Sequence, residues 1–194
     1  DSHPNNKGGA LYLSNSYSQP VIRNCTFIGN NGNSGGAIFN AAGSEPVIEL
    51  SRFMSNTATN DGGALYNSAQ SAASVLSCTF SANTAGINGG AVYNNSDAIT
   101  EIKNSEFVNN AAATSGGAIF NYQRADIIVQ NSVFDNNAAE QGGALYNESA
   151  DPVIQNTLFK GNNAGMYGGG MYNYSTYTSA PSEPVIQNCT FINN

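Results

Sequence analysis

Four carboxylates share one phase of this sequence: Glu45, Asp126, Asp151 and Glu183 each stand eight residues before a phenylalanine. The last three fall in consecutive repeats, where stacked carboxylates would offer calcium the oxygen ligands a hard cation requires. The same spacing describes a solvated acidic edge equally well, and no Asp-x-Asp spacing or calcium-binding nonapeptide supports the metal. We therefore expect no cofactor. Cleavage of a polysaccharide would need converging acids, a calcium-binding cluster, or a basic residue placed to take a proton. Arg124 and Asp126 flank one turn without a second acid or base to join them, and the single histidine, His3, stands at the start. The expectation is a chain that is not an enzyme.

What must position such residues is a repeat. A Gly-Gly pair followed by a small residue, an aliphatic and an aromatic occurs seven times, starting at Gly8, Gly35, Gly62, Gly89, Gly116, Gly142 and Gly168. The intervals are 27 residues four times and 26 twice. Each copy is followed by Phe-x-x-Asn, with Phe27, Phe53, Phe80, Phe107, Phe134, Phe159 and Phe191 at its head. The matching asparagines are Asn30, Asn56, Asn83, Asn110, Asn137, Asn162 and Asn194. A period of this size signals a solenoid. No apolar period of 3.6 supports a helix in the repeat, and no leucine-rich frame is present. Short apolar runs separated by Gly, Asn, Ser and Pro instead predict three short strands per turn of chain. The fold class is all-β: a right-handed, single-stranded parallel β-helix of about seven coils, forming one domain over residues 1–194.

The charges mark the inside. All 19 charged residues avoid the Gly pair and the four positions after it. They also avoid the Phe and the sites two, three and five before it. Burying an unpaired charge is costly, so these positions line the core. The asparagines of Phe-x-x-Asn are expected to form an internal ladder, each amide bonding the next and satisfying turn backbone. A second set closes the Gly-Gly strand, at Asn40, Asn67, Asn94, Asn121, Asn147 and Asn173, with Leu13 in coil one.

At this point the sequence resembles the repeat region of the chlamydial polymorphic outer membrane proteins, whose hallmarks are Gly-Gly-Ala-Ile and Phe-x-x-Asn. Two copies, from Gly35 and Gly116, read Gly-Gly-Ala-Ile outright, and all seven Phe-x-x-Asn motifs are intact. The resemblance spans nearly the whole chain. It implies an adhesin-like passenger domain of an autotransporter, within the pectate-lyase-like β-helix superfamily, at the cell surface or outside the cell.

A candidate contact surface follows from strand alternation. If the aliphatic residue and the ladder asparagine point in, the residue between them points out. That residue is Tyr12, Phe39, Tyr66, Tyr93, Phe120, Tyr146 or Tyr172. The expected result is an exposed aromatic stripe for a protein partner or a glycan, unless loops or a partner rod cover it or the rings stack inside. Coil seven adds a longer loop, near Tyr174 to Pro184, that brings Tyr174 and Tyr177. Long loops on rigid scaffolds often carry function.

Other partners are disfavoured. The net charge is −7 and the six basic residues are scattered singly, so no basic stripe exists for nucleic acid. No apolar run reaches the 18 or more residues of a membrane span, so no membrane insertion by this segment is expected. The three cysteines, Cys25, Cys78 and Cys189, share one position in coils one, three and seven. Coils one and three stand about 10 Å apart by strand spacing, beyond the roughly 7 Å a disulfide spans; three free, buried, inert thiols are expected. The chain starts and stops near repeat boundaries without an evident polar cap. It thus reads as a fragment of a longer protein, or as a unit stacking end to end on copies of itself into a fibre.

Overall fold

The structure is a computed structural model that describes residues 6–14, 18–175 and 183–194. The chain winds as a right-handed parallel solenoid whose strands pair only with their counterparts one coil away. Coil three shows the pattern: Leu65–Asn67, Ala72–Leu76, Thr79–Ser81 and Thr84–Ala85. These four positions build three sheets of seven strands and one of six. The expected three strands per coil therefore become four. In coils one to four the extra strand is only two residues long, and in coils two to four it carries only Thr and Ala, so it leaves no apolar signature there; it lengthens to Ala138–Gln141 and Asn163–Tyr167 in coils five and six.

Three positions adopt the left-handed conformation in every coil, and coils two to six do so again at Gly43, Gln70, Asp97, Arg124 and Ser149. Of the three, one precedes Phe by three positions, as in Leu50 (φ 51°), Asn104 (φ 51°) and Asn131 (φ 52°). Another follows Phe by two, as in Ser55 (φ 52°) and Asn109 (φ 55°). Asn suits these corners because its short amide tolerates the region. The third is the first Gly of each pair, with φ between 60° and 69° in all seven coils.

The second Gly answers a different demand. A Cβ on Gly90 would lie 2.0 Å from the carbonyl oxygen of Gly117 and 2.6 Å from that of Ala111. Adjacent coils simply pass too close there for any side chain. Gly36, Gly63, Gly117 and Gly143 meet the same obstruction from the coil that follows.

The core is a set of columns. Phe27 through Phe191 stack ring on ring, with centroids 4.6–4.9 Å apart and planes within 6° of parallel. Phe53, Phe80, Phe107, Phe134 and Phe159 are fully buried, as are Ile48, Val75, Ile102, Val129 and Ile154 beside them. Burying each such side chain contributes about 2 kcal/mol. Charged residues stay outside, and several pair one coil apart. Arg23 meets Glu49, Arg124 grips Asp97 with two bonds, and Lys160 reaches Asp135.

The expected asparagine ladder is present. Asn83 Nδ2 donates to Asn110 Oδ1 at 2.9 Å and to the Phe53 carbonyl at 3.0 Å. Its own Oδ1 accepts from both the Nδ2 and the backbone N–H of Asn56. Each interior amide thus uses both donors and both acceptor sites. The same pattern runs from Asn30 to Asn194. A second ladder links Asn40, Asn67, Asn94, Asn121, Asn147 and Asn173. Where coil one substitutes Leu13 for Asn, the buried Asn40 Oδ1 is left without a donor.

Three substitutions test these packing demands. Gly90→Ala should cost several kcal/mol in urea unfolding, because backbone must move. Gly29→Ala should cost only on the order of 1 kcal/mol, since its φ is 63° but nothing lies within 4 Å of its Cβ. Asn110→Ala should cost about 3 kcal/mol or more by stranding buried partners on both sides.

Candidate functional site

The aromatic residues between the inward aliphatics and the ladder asparagines form a cluster separate from the core. Tyr93, Phe120 and Tyr146 are its centre, with Tyr66, Tyr122 and Tyr172 packed against them. From Tyr12 to Tyr146 the rings stack at 4.9–5.2 Å and within 9° of parallel. They sit on the outer face of the first sheet, as alternation requires, since Leu65 and Asn67 on either side of Tyr66 are fully buried.

Their exposure is not as expected. Phe39 and Phe120 are each 4 % exposed, Tyr146 is 6 % and Tyr93 is 9 %, whereas Tyr12 is 51 % exposed. Each interior ring has both of its faces covered by its neighbours, so a stripe that points outward buries itself. The hydroxyl of Tyr66 also accepts a bond from Asn95 Nδ2 at 3.0 Å, and the Lys7 ammonium lies 4.8 Å over the Phe39 ring. The series is open at Tyr12 in coil one and changes its packing in coil seven. There Tyr172 turns 67° away from Tyr146 and packs against Tyr167 at 5.2 Å and Tyr174 at 6.2 Å. Tyr167 is 48 % and Tyr174 43 % exposed. Tyr177 lies outside the described residues, as does His3.

Sequence reasoning misses a second outer column beside this one. The position after each ladder asparagine reads Ser14, Ala41, Ser68, Asn95, Tyr122, Glu148 and Tyr174. It is small or amide for four coils and then becomes two tyrosines around a carboxylate. Register places Glu148 directly between Tyr122 and Tyr174. Burial raises the Glu148 carboxyl above its ordinary value.

Burial also governs the phenols. It pushes Tyr66 up to about 12, helped by the charge on Asp61, and Tyr146 up to about 12, helped by Glu148. Tyr93 is raised by burial and by Tyr66.

The acidic column does not converge. Asp151 Oδ1 accepts the Glu183 backbone N–H at 2.7 Å, and Glu45 is held by Gln19 at 2.7 Å. Among the described residues no three His, Cys, Asp or Glu side chains group around a common point. Arg124 is committed to Asp97, whose carboxyl it holds below the usual range. A shallow groove of about 390 Å³ crosses the outer face of the second sheet, floored by Ala72 and Ser74 between Glu45 and Glu101. All three cysteines are free; Cys78 is buried, but Cys25 and Cys189 are only half-buried, because they lie in coils one and seven.

This geometry agrees with the comparisons. A family described as right handed beta helix region matches residues 2–134. The chain belongs to the right-handed β-helix family. Residues 131–148 of this β-helix also match the Chlamydia polymorphic membrane protein repeat, over the stretch that holds Phe134, Asn137 and the Gly142 pair. No curated protein and no solved structure matches the chain.

The buried phenols make a testable case. A raised folded-state pKa means that the folded chain keeps these protons longer than the unfolded chain, so the associated stability is intact below pH 10 and declines as pH climbs from about 10 to about 12. Absorbance at ~295 nm should show two phenols ionising late in that window, and Tyr66→Phe should remove one of them.

Proposed function

We propose that this chain is a non-enzymatic, surface-associated β-helix of the autotransporter passenger type, holding an aromatic surface in coil seven toward a glycan or a protein partner. Support comes first from the polymorphic membrane protein repeat at residues 131–148 and from the β-helix match around it. The single observation that carries the contact surface is the break in the outer stack. Six rings stack in parallel from Tyr12 to Tyr146, while Tyr172 tilts out of line and packs with the exposed Tyr167 and Tyr174. Tyrosine suits such a role because it offers a large apolar face and a hydroxyl at low entropic cost. The two ladders and the phenylalanine column make the scaffold rigid, so the surface is displayed without a further ordering penalty.

Binding of the purified chain to a glycan array and to intact host cells tests this reading. We expect a specific signal, reduced about ten-fold by Tyr174→Ala, as befits an exposed aromatic anchor. Silence on every glycan class together with no cell binding would overturn it.

A further inference from the structure

We propose that Glu148 and the tyrosines around it form a cage for an alkylated ammonium ion, a ligand of the choline type. The cage shares Tyr172 and Tyr174 with the surface proposed above, but it is centred on Glu148 and does not rest on that reading.

The cage follows from register. Tyr122, Glu148 and Tyr174 occupy one outward column in coils five, six and seven. By strand spacing the two tyrosines stand about 9.6 Å apart with Glu148 at the level midway between them, so a cation seated against the outer edge of its carboxylate stands about 4.8 Å along the rod from each. That is inside the roughly 6 Å over which a ring face attracts a cation. Tyr146 and Tyr172 flank the column in the adjoining one, and Tyr172 packs against Tyr174. Tyr122 and Tyr174 therefore bracket one carboxylate along the rod, with Tyr146 and Tyr172 in the column beside it.

Among the described residues the charge in the middle has no counter-ion. The four ion pairs use Glu49, Glu101, Asp97 and Asp135, and among the described residues no Lys or Arg pairs with Glu148. Its desolvation therefore goes uncompensated, and it acts on the neighbouring Tyr146 hydroxyl instead. The column remains reachable, with Tyr122 and Glu148 half-buried and Tyr174 exposed.

The chemistry selects the ion. Calcium wants six to eight oxygens, and no three His, Cys, Asp or Glu side chains gather here among the described residues. A compact ammonium is strongly hydrated, and ring faces replace that water poorly. An alkylated ammonium is weakly hydrated, fits between ring faces, and gains from the single carboxylate beneath it.

The chain contains no tryptophan, so its ultraviolet emission reports tyrosine alone. Titration with tetramethylammonium chloride should give a saturable change, and sodium chloride at equal ionic strength should not. Glu148→Gln and Tyr174→Ala should each weaken binding about five-fold or more, while Glu140→Gln, at an exposed acid outside the cage, should leave it unchanged. Should Glu148→Gln fail to fold by circular dichroism, Tyr174→Ala decides. Free choline and phosphatidylcholine vesicles separate a solute from a membrane headgroup, and binding to either supports the cage. A non-saturable response, an equal response to sodium, or wild-type affinity in the folded variants would overturn it. Because Tyr174 belongs to both surfaces, Glu148→Gln is the variant that separates them: it should weaken tetramethylammonium binding and leave glycan-array binding, read separately, unchanged.

Discussion

One spacing governs this molecule: the distance at which one backbone coil hydrogen-bonds to the next. Parallel strand pairing sets it near 4.8 Å, and the side-chain columns accept it. Aromatic rings lie in van der Waals contact at that separation, which is why the phenylalanines stack with centroids 4.6–4.9 Å apart. Carboxamides can bond one another at the same separation, and two asparagine columns do so. The Gly-Gly pair is the point where the requirement is strictest, because its second member admits no Cβ between coils.

Much of this was legible from recurrence alone. A Phe that returns every 26 or 27 residues with its Asn three positions later must be in phase in space if the chain coils. The absence of charge from the same positions shows which phase faces in. Leu13 in an asparagine slot pointed to an inward site, and the orphaned Asn40 Oδ1 next to it shows the same substitution from the other side. The two-residue strands were not legible, since they have no apolar period and exist only through pairing with other coils.

Exposure was the harder property. Alternation fixes the direction of Phe120 or Tyr146, but their burial depends on the rings in neighbouring coils. A residue judged one repeat at a time is outward and wet; judged down the column it is outward and dry. Glu148 was overlooked for the opposite reason. Its position is bland in the first four coils, and only a reading down the column shows two tyrosines closing around it.

The ladders have a direction as well as a position. Backbone amides of the sheets donate both ways along the rod: Gly36 N–H to the Gly62 carbonyl of the following coil, Thr57 N–H to the Asn30 carbonyl of the preceding one. Those dipoles largely cancel, as they do in any sheet. The asparagine carbonyls do not alternate. From Asn56 to Asn194, and from Asn67 to Asn173, every Oδ1 faces the coil before it. Two parallel files of amides therefore add their moments along the axis, giving an otherwise non-helical rod an electrical head and tail, with the negative pole at its first coils.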